Sequence, residues 1–305
     1  NHVSRRNRIV QDAQSAGPDS DAGRMVRWCE GHLDVFEGHS DLVALNHDNP
    51  AVREHVTRIM NYWCGRGVDG WRLDAAYSVN PEFWAAVLPS VREKYPDVWI
   101  FGEVIHGDYA SIVRASGMDS VTQYELWKGI WSSIESRNFF ELDHALGRHN
   151  EFSDAFTPMT FVGNHDVTRI ASRVGQDGAV LATAILATIG GIPLIYYGDE
   201  LAYRGVKEER FGGDDDIRPV FPASPADLSN LGADTLRAHQ SLLGLRRRHP
   251  WLVDARTESL DLTNERYVYR TGVPGVEPLI VELDVRDGCS VLIREAGQVV
   301  WSSGA

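Results

Sequence analysis

Cysteine is scarce in this chain, and what there is does not suggest pairing. Cys29, Cys64 and Cys289 make an odd count with no Cys-x-x-Cys among them, so neither a disulfide framework nor a thiolate zinc site is indicated. Free thiols of this kind suit a reducing compartment and tilt an otherwise open localisation toward the cytoplasm. Long apolar runs are missing too. No stretch reaches the roughly 20 residues that cross a bilayer, and the opening NHVSRRNRIV lacks the apolar centre of a signal peptide. Positive charge is in deficit: 30 Lys and Arg against 43 Asp and Glu leave a net charge of −13, which argues against a phosphate backbone as ligand. Neither nucleic acid nor membrane is therefore expected as a partner, whereas a neutral ligand such as a sugar remains compatible. Low-complexity segments and short-period repeats are absent. The opening residues also carry no helix or strand start signal, and residues 3–46, rich in Gly, Asp and His, are expected to be mostly irregular.

What is present points to a sizeable α/β protein. Hydrophobic residues at 43% suffice for a real core, and 305 residues allow a large barrel with a small extra domain, or two medium domains. Nine Trp and ten Tyr offer flat faces that suit sugar rings, although most such residues serve packing. Asn49-Pro50 reads as a helix cap followed by proline at the first helical position. Val52, Val56, Ile59, Met60 and Trp63 then fall on one stripe, and Gly65 and Gly67 end it. Asn80-Pro81 repeats this grammar ahead of Trp84, Val87, Leu88 and Val91. Between the two helices, VDGWRLDAA (68–76) reads as a strand, and DVWIFGEV (97–104) as the next, giving a βαβ unit.

The alternation continues through strands at SVTQYEL (120–126), MTFVGNHD (159–166) and IPLIYYGDE (192–200), with helices at 178–189 and 231–250. Five strand-to-helix repeats predict a parallel α/β fold, with the strands near Asp74, Glu103, Tyr124, Asp166 and Gly198 as parallel neighbours. From Trp251 onward short alternating segments separated by Arg-Asp-Gly and Glu-Ala-Gly turns predict a small antiparallel β domain.

The acidic residues fall where chemistry would need them. Asp74 lies just past one predicted strand, Glu103 ends the next and Asp166 ends a third. Parallel α/β barrels gather the C-terminal ends of their strands at one face, where the site lies. Crowded carboxylates repel one another, which is useful when one must hold a proton and another must stay ionised. Retaining glycoside hydrolysis needs such a pair at roughly 5–5.5 Å. Arg72, two residues before Asp74, would face the same side and orient it. His165 and Asp166 could grip sugar hydroxyls beside the reacting carbon. Singly these features are commonplace: Arg-x-Asp is usually a surface ion pair and Asn-His-Asp usually a turn. Their occurrence in order, at the ends of successive strands, carries the signal.

GVDGWRLDAA, WIFGEV and FVGNHD together resemble three signature segments of the α-amylase family, glycoside hydrolase family 13. VALN (43–46) is similar to a weaker segment, and IPLIYYGDE to the eighth strand. The resemblance implies a (β/α)8 TIM barrel, here incomplete at about strands 4 to 8, with a short inserted domain B and a small C-terminal antiparallel β domain. The corresponding divisions are 1–46, 47–250 and 251–305, the last β-sandwich-like. It implies Asp74 as nucleophile, Glu103 as general acid/base and Asp166 as transition-state stabiliser, supported by Arg72 and His165. The opening Asn1-His2 matches the end of the family's first segment, which makes His2 a substrate-binding residue and leaves three earlier strands outside the sequence. His106, just past Glu103, and Tyr124, at the end of the sixth strand, are expected to line the cleft. Many members carry Lys-His after the nucleophile, part of a calcium site in some; here Ala76-Tyr77-Ser78 stand there. That departure speaks against calcium, although Asn1 could still touch such an ion, and no cofactor is expected. The substrate implied is an α-1,4-linked glucan or oligosaccharide. Transglycosylation, cyclodextrin or pullulan hydrolysis, and a truncated non-catalytic carbohydrate-binding relative are the alternatives. The acidic loop GVKEERFGGDDDIRP (205–219) is expected to be a solvated loop or a mobile rim.

Overall fold

The structure is a computed structural model describing residues 2–304, which divide into two compact units meeting in sequence at Val121 and Thr122. This division differs from the boundaries expected at 46/47 and 250/251.

The first unit opens with β1 (His2–Ser4), α1 (Arg8–Ala16), β2 (Trp28–Cys29), β3 (His32–Leu33) and β4 (Leu42–Ala44). The segment expected to be irregular is thus partly regular. Asn7 caps α1 by accepting the Ile9 N–H, and Gly17 ends it at φ 83°. Val10 and Ala13 from this helix bury against Val26 and Val43 in a small core. Glu30 and Gly31, both at positive φ, turn β2 into β3, while β1 pairs antiparallel with β4, His2 opposite Ala44.

Beyond them come α2 (Pro50–Cys64), β5 (Gly70–Leu73), α3 (Pro81–Arg92), β6 (Trp99–Gly102), α4 (Tyr109–Ser116) and β7 (Ser120–Val121). Both Asn-Pro starts behave as read: Asn49 accepts from Ala51 N–H and Asn80 from Glu82 N–H. α2 packs on α3 and α3 on α4, beside a parallel sheet in the order β5-β6-β7. Arg72 sits opposite Phe101 and Leu73 opposite Gly102, so this register leads Asp74 out of β5 beside Glu103 as it leaves β6.

The second unit holds α5 (Tyr124–Ser136), α6 (Phe139–Ser153), β8 (Met159–Phe161), α7 (Ile170–Thr188), β9 (Ile192–Leu194) and α8 (Ala233–Arg248). β8 and β9 are parallel, and Thr122 bridges Met159 in parallel as well. Here the predicted strands prove too long. Gln123 accepts the Leu126 N–H through its side chain and starts α5, so Tyr124 opens a helix instead of ending a strand. Asp166 likewise lies beyond its strand, because β8 stops at Phe161 and the chain turns. The predicted 178–189 helix begins earlier, at Ile170, and is broken at Gly175 (φ 75°).

The chain ends in β10 (Arg256–Leu262), β11 (Arg266–Gly272), β12 (Leu279–Asp284), β13 (Ser290–Glu295) and β14 (Gln298–Ser302), paired antiparallel in that order. Among the described residues this is one sheet and not a sandwich. Its inner face is covered by helices: Tyr269, Val281, Leu283 and Ile293 share a single core with Leu181, Ala182 and Ile185 of α7. For the same reason residue 250 is no packing boundary. The Tyr269 hydroxyl lies 2.7 Å from Thr188 Oγ1, so even the polar atom at this seam is satisfied. Arg246 of α8 is buried and donates to the carbonyls of Ala187, Ile189 and Gly191, satisfying acceptors left open where α7 ends.

His149 of α6 is wholly buried, with Nε2 3.2 Å from the Gly190 carbonyl, and burial pushes its pKa down to about 4. The folded chain therefore holds it neutral. Its share of stability is complete above the unfolded value near 6.5 and is lost as pH falls from there through about 4. Substitution by Gln, which has no charged form, is expected to remove a loss of roughly 2–3 kcal/mol between pH 7 and pH 4. Urea unfolding of both proteins across that range measures it. Parallel pH profiles would show that His149 contributes nothing to acid sensitivity.

Candidate active site

Arg72 organises the acidic pair of the first unit. One guanidinium nitrogen, Nη1, lies 2.7 Å from Asp74 Oδ1, and Nη2 lies 2.8 Å from Glu103 Oε1. Sequence reading assigned Arg72 to Asp74; the structure makes it common to both carboxylates. Glu103 is 5% exposed, while the Asp74 side chain is 53% exposed, so the two differ sharply in access to solvent. The second Glu103 oxygen accepts the Ala75 N–H at 3.0 Å. That amide points there because Ala75 adopts the left-handed conformation (φ 43°, ψ 43°), which costs a non-glycine residue roughly 1–2 kcal/mol. With one donor on each oxygen, the Glu103 carboxyl plane is fixed. Gly102 permits this approach: a Cβ there would stand 2.7 Å from Met118 Sδ and 2.9 Å from Ala76 Cβ.

His2 comes to the same place. Its Nε2 is 4.0 Å from Asp74 Oδ2 and its ring stacks on Phe36 at 4.6 Å. Burial lowers its pKa, against the opposing pull of Asp74. The pairing of β1 with β4 sets His2 beside the VALN segment; Asn1 lies outside the described residues. His106 is exposed and meets the edge of Tyr77 at 5.6 Å. Tyr77 in turn donates to Glu37 Oε1 at 2.6 Å. Burial first, then this bond, push the Tyr77 hydroxyl above its ordinary range, which keeps it a donor. Neither Tyr77 nor Glu37 was anticipated from sequence. The signal was weak, two residues 40 positions apart.

In the second unit Asn164, His165 and Asp166 form a tight turn. Asn164 accepts the Asp166 N–H at 2.9 Å and donates to the Tyr124 hydroxyl at 2.8 Å. Tyr124 is 7% exposed, its ring edge-on to Phe161, so it buttresses this turn from inside. His165 Nε2 lies 3.1 Å from Asp166 Oδ2, and Arg218 Nη2 lies 2.8 Å from Asp166 Oδ1. Arg218 comes from the acidic loop expected to be solvated or a mobile rim, and its contact with Asp166 was not anticipated from sequence. Below it, fully buried Arg169 bonds Asp199 Oδ1 at 2.9 Å and stacks over Tyr196 at 4.1 Å. Burial, opposed by Arg169, pushes the Asp199 carboxyl up to about 6. Among the described residues, no group of three or more His, Cys, Asp or Glu side chains gathers as a metal would require.

The family model described as alpha amylase, catalytic domain, matches residues 30–253. Alpha-amylase 3 of Dictyoglomus thermophilum is 34% identical over 188 residues, which cover 56% of this chain and 37% of that protein. Maltogenic alpha-amylase of Bacillus acidopullulyticus is 31% identical over 234 residues, 73% of this chain and 38% of that protein. The chain thus spans well under half the length of these curated relatives. Among solved structures, the ligand-free cyclic alpha-maltosyl-(1→6)-maltose hydrolase from Arthrobacter globiformis shares the fold, with a TM-score of 0.81 at 21% identity over 99% of this chain and 72% of that one.

Proposed function

From the premise that the chain belongs to the α-amylase catalytic-domain family, we propose that it supplies the reacting carboxylates of a retaining glycosidase cleaving α-1,4-glucosidic bonds in starch-like glucans or maltooligosaccharides. The observation that carries this reading is the single guanidinium shared by Asp74 and Glu103 at the ends of adjacent parallel strands. In this reading Glu103 gives its proton to the glycosidic oxygen while Asp74 attacks the anomeric carbon, forming a glycosyl-enzyme. Glu103, now ionised, takes a proton from water, which attacks the anomeric carbon and releases Asp74. Arg72 keeps both groups in place through the two steps. Asp166 holds sugar hydroxyls whose hydrogen bonds strengthen in the transition state, and His165, His2, His106 and Tyr124 support binding or the geometry around it. The fold in this reading is an incomplete (β/α)8 barrel, with residues up to 46 as the end of its third repeat and a short domain B.

A second reading within the family is hydrolysis of cyclodextrins or pullulan, or glucosyl transfer. It is favoured by Ala76-Tyr77-Ser78, with Tyr77 tied to Glu37, where many members carry Lys-His. Product analysis of the intact protein on starch, pullulan, cyclodextrin and sucrose separates the two. Maltooligosaccharides released from starch with the α-configuration, in the presence of chelator, are expected. Initial release of the β-anomer would mean inversion and overturn the double-displacement mechanism.

A further inference from the structure

We propose that Arg218 is a positioning residue for Asp166, built into the end of the acidic loop so that loop and carboxylate hold one geometry. The proposal rests on Asp166 being a carboxylate of the reacting centre and adds a residue that this reading did not contain. Arg218 makes a two-pronged contact with the turn that carries Asp166. Its Nε donates to the His165 carbonyl at 2.7 Å, and its Nη2 reaches Asp166 Oδ1 at 2.8 Å. The planar fork thus fixes backbone and carboxylate relative to each other, which a point charge cannot do. Asp166 Oδ2 faces His165 Nε2 at 3.1 Å, so the carboxylate is held at both oxygens and its rotation is set.

The Arg218 side chain is 42% exposed, and an exposed arginine usually contributes little. Here the backbone on either side is pinned. Ile217 is fully buried, and its carbonyl accepts from Arg169 Nε at 3.1 Å and from the Tyr196 hydroxyl at 3.2 Å. The next carbonyl but one, that of Pro219, accepts from the Tyr197 hydroxyl at 2.7 Å. Arg169 is itself locked by Asp199 and by the Tyr197 carbonyl, at 2.9 and 2.6 Å. Gly205 lets the loop's two ends touch, since a Cβ there would stand 2.2 Å from the Asp216 carbonyl oxygen. Asp214 Oδ2, at 2.9 Å from Nη2, adds a third partner from within the loop. The guanidinium therefore arrives preset, with little of the side-chain entropy that weakens ordinary surface pairs still to be lost on binding.

The test is a double-substitution cycle in the intact protein: Arg218→Gln, Asp166→Asn and both together, assayed on a maltooligosaccharide. Arg218→Gln is expected to lower kcat about 10- to 100-fold with a smaller change in KM, as for a misplaced reacting group. Arg218→Lys should recover only part of the loss. In the Asp166→Asn background, Arg218→Gln should cost almost nothing more, because its effect runs through Asp166. An equal loss in both backgrounds, or a rise in KM alone, would overturn the proposal while leaving Asp166 in its role. If Asp166→Asn itself kept full activity, the reading of Asp166 would fall, and the role of Arg218 with it. Thermal unfolding of each variant separates these effects from loss of fold.

Discussion

Asp74→Ala in the intact protein is expected to abolish turnover, with kcat reduced on the order of 10⁵-fold or more, since no glycosyl-enzyme can form. The fold should survive. The Asp74 side chain is largely solvent-exposed, and Arg72 retains Glu103 as its partner at 2.8 Å. Truncating an exposed pair normally costs about 1 kcal/mol or less. Near-native thermal unfolding beside lost activity is therefore the signature of a missing nucleophile. Incubation with an activated glycoside and mass spectrometry provides the decisive measurement: wild type should accumulate a covalent sugar adduct and Asp74→Ala none. An adduct on the alanine variant would remove Asp74 from the role and turn attention to Asp166.

Glu103→Gln should behave differently, and the difference is what assigns the role. Gln keeps the shape of the side chain and can still accept the Ala75 N–H that meets Oε2 at 3.0 Å. It cannot give a proton to a leaving group. On natural glucans the loss should be about 10²- to 10⁴-fold. With an activated aryl glycoside, whose leaving group needs no proton, the first step should proceed and the second stall for lack of a base. Stopped-flow assay should then give a burst equivalent to the enzyme present, followed by slow release. Equal loss on activated and natural substrates, with no burst, would withdraw the acid/base assignment.

Much of this site could be read from the chain because its parts lie in short contiguous segments. Arg72 and Asp74 are two residues apart, so strand periodicity alone puts them on one side. The Asn-Pro helix starts were equally legible, since capping is a local matter. What escaped the reading depends on partners far away in sequence. Glu103 takes a share of Arg72 through the register of β5 with β6, and no local pattern states that register. Arg218 reaches Asp166 from 52 residues on, in a run whose charges read as solvated. The predicted strands at 120–126 and 159–166 were too long, because apolar and aromatic residues continue past the ladder into helix start and turn. Phe161 is the last residue of β8, and Tyr124 is aromatic because it packs edge-on against Phe161 from the start of α5, not because it pairs as strand. The helix at Arg8–Ala16 was missed although Asn7 and Gly17 mark its ends, since the opening residues gave no obvious apolar stripe.

The pinning of the loop at Ile217 and Pro219 leaves its other part unconstrained by the site. Residues 208–213 close on themselves, Glu208 N–H to the Gly213 carbonyl at 3.1 Å and Gly213 N–H to the Arg210 carbonyl at 2.9 Å, and Phe211 at the tip is fully exposed. Closing a longer loop costs little, about 0.6 kcal/mol for each doubling of length. This segment is therefore a natural grafting point. Insertions or exchanged sequence between Glu208 and Gly213 are expected to leave the anchored end in place, with Arg218 still at Asp166. The tip can vary in length and sequence while the root keeps its geometry.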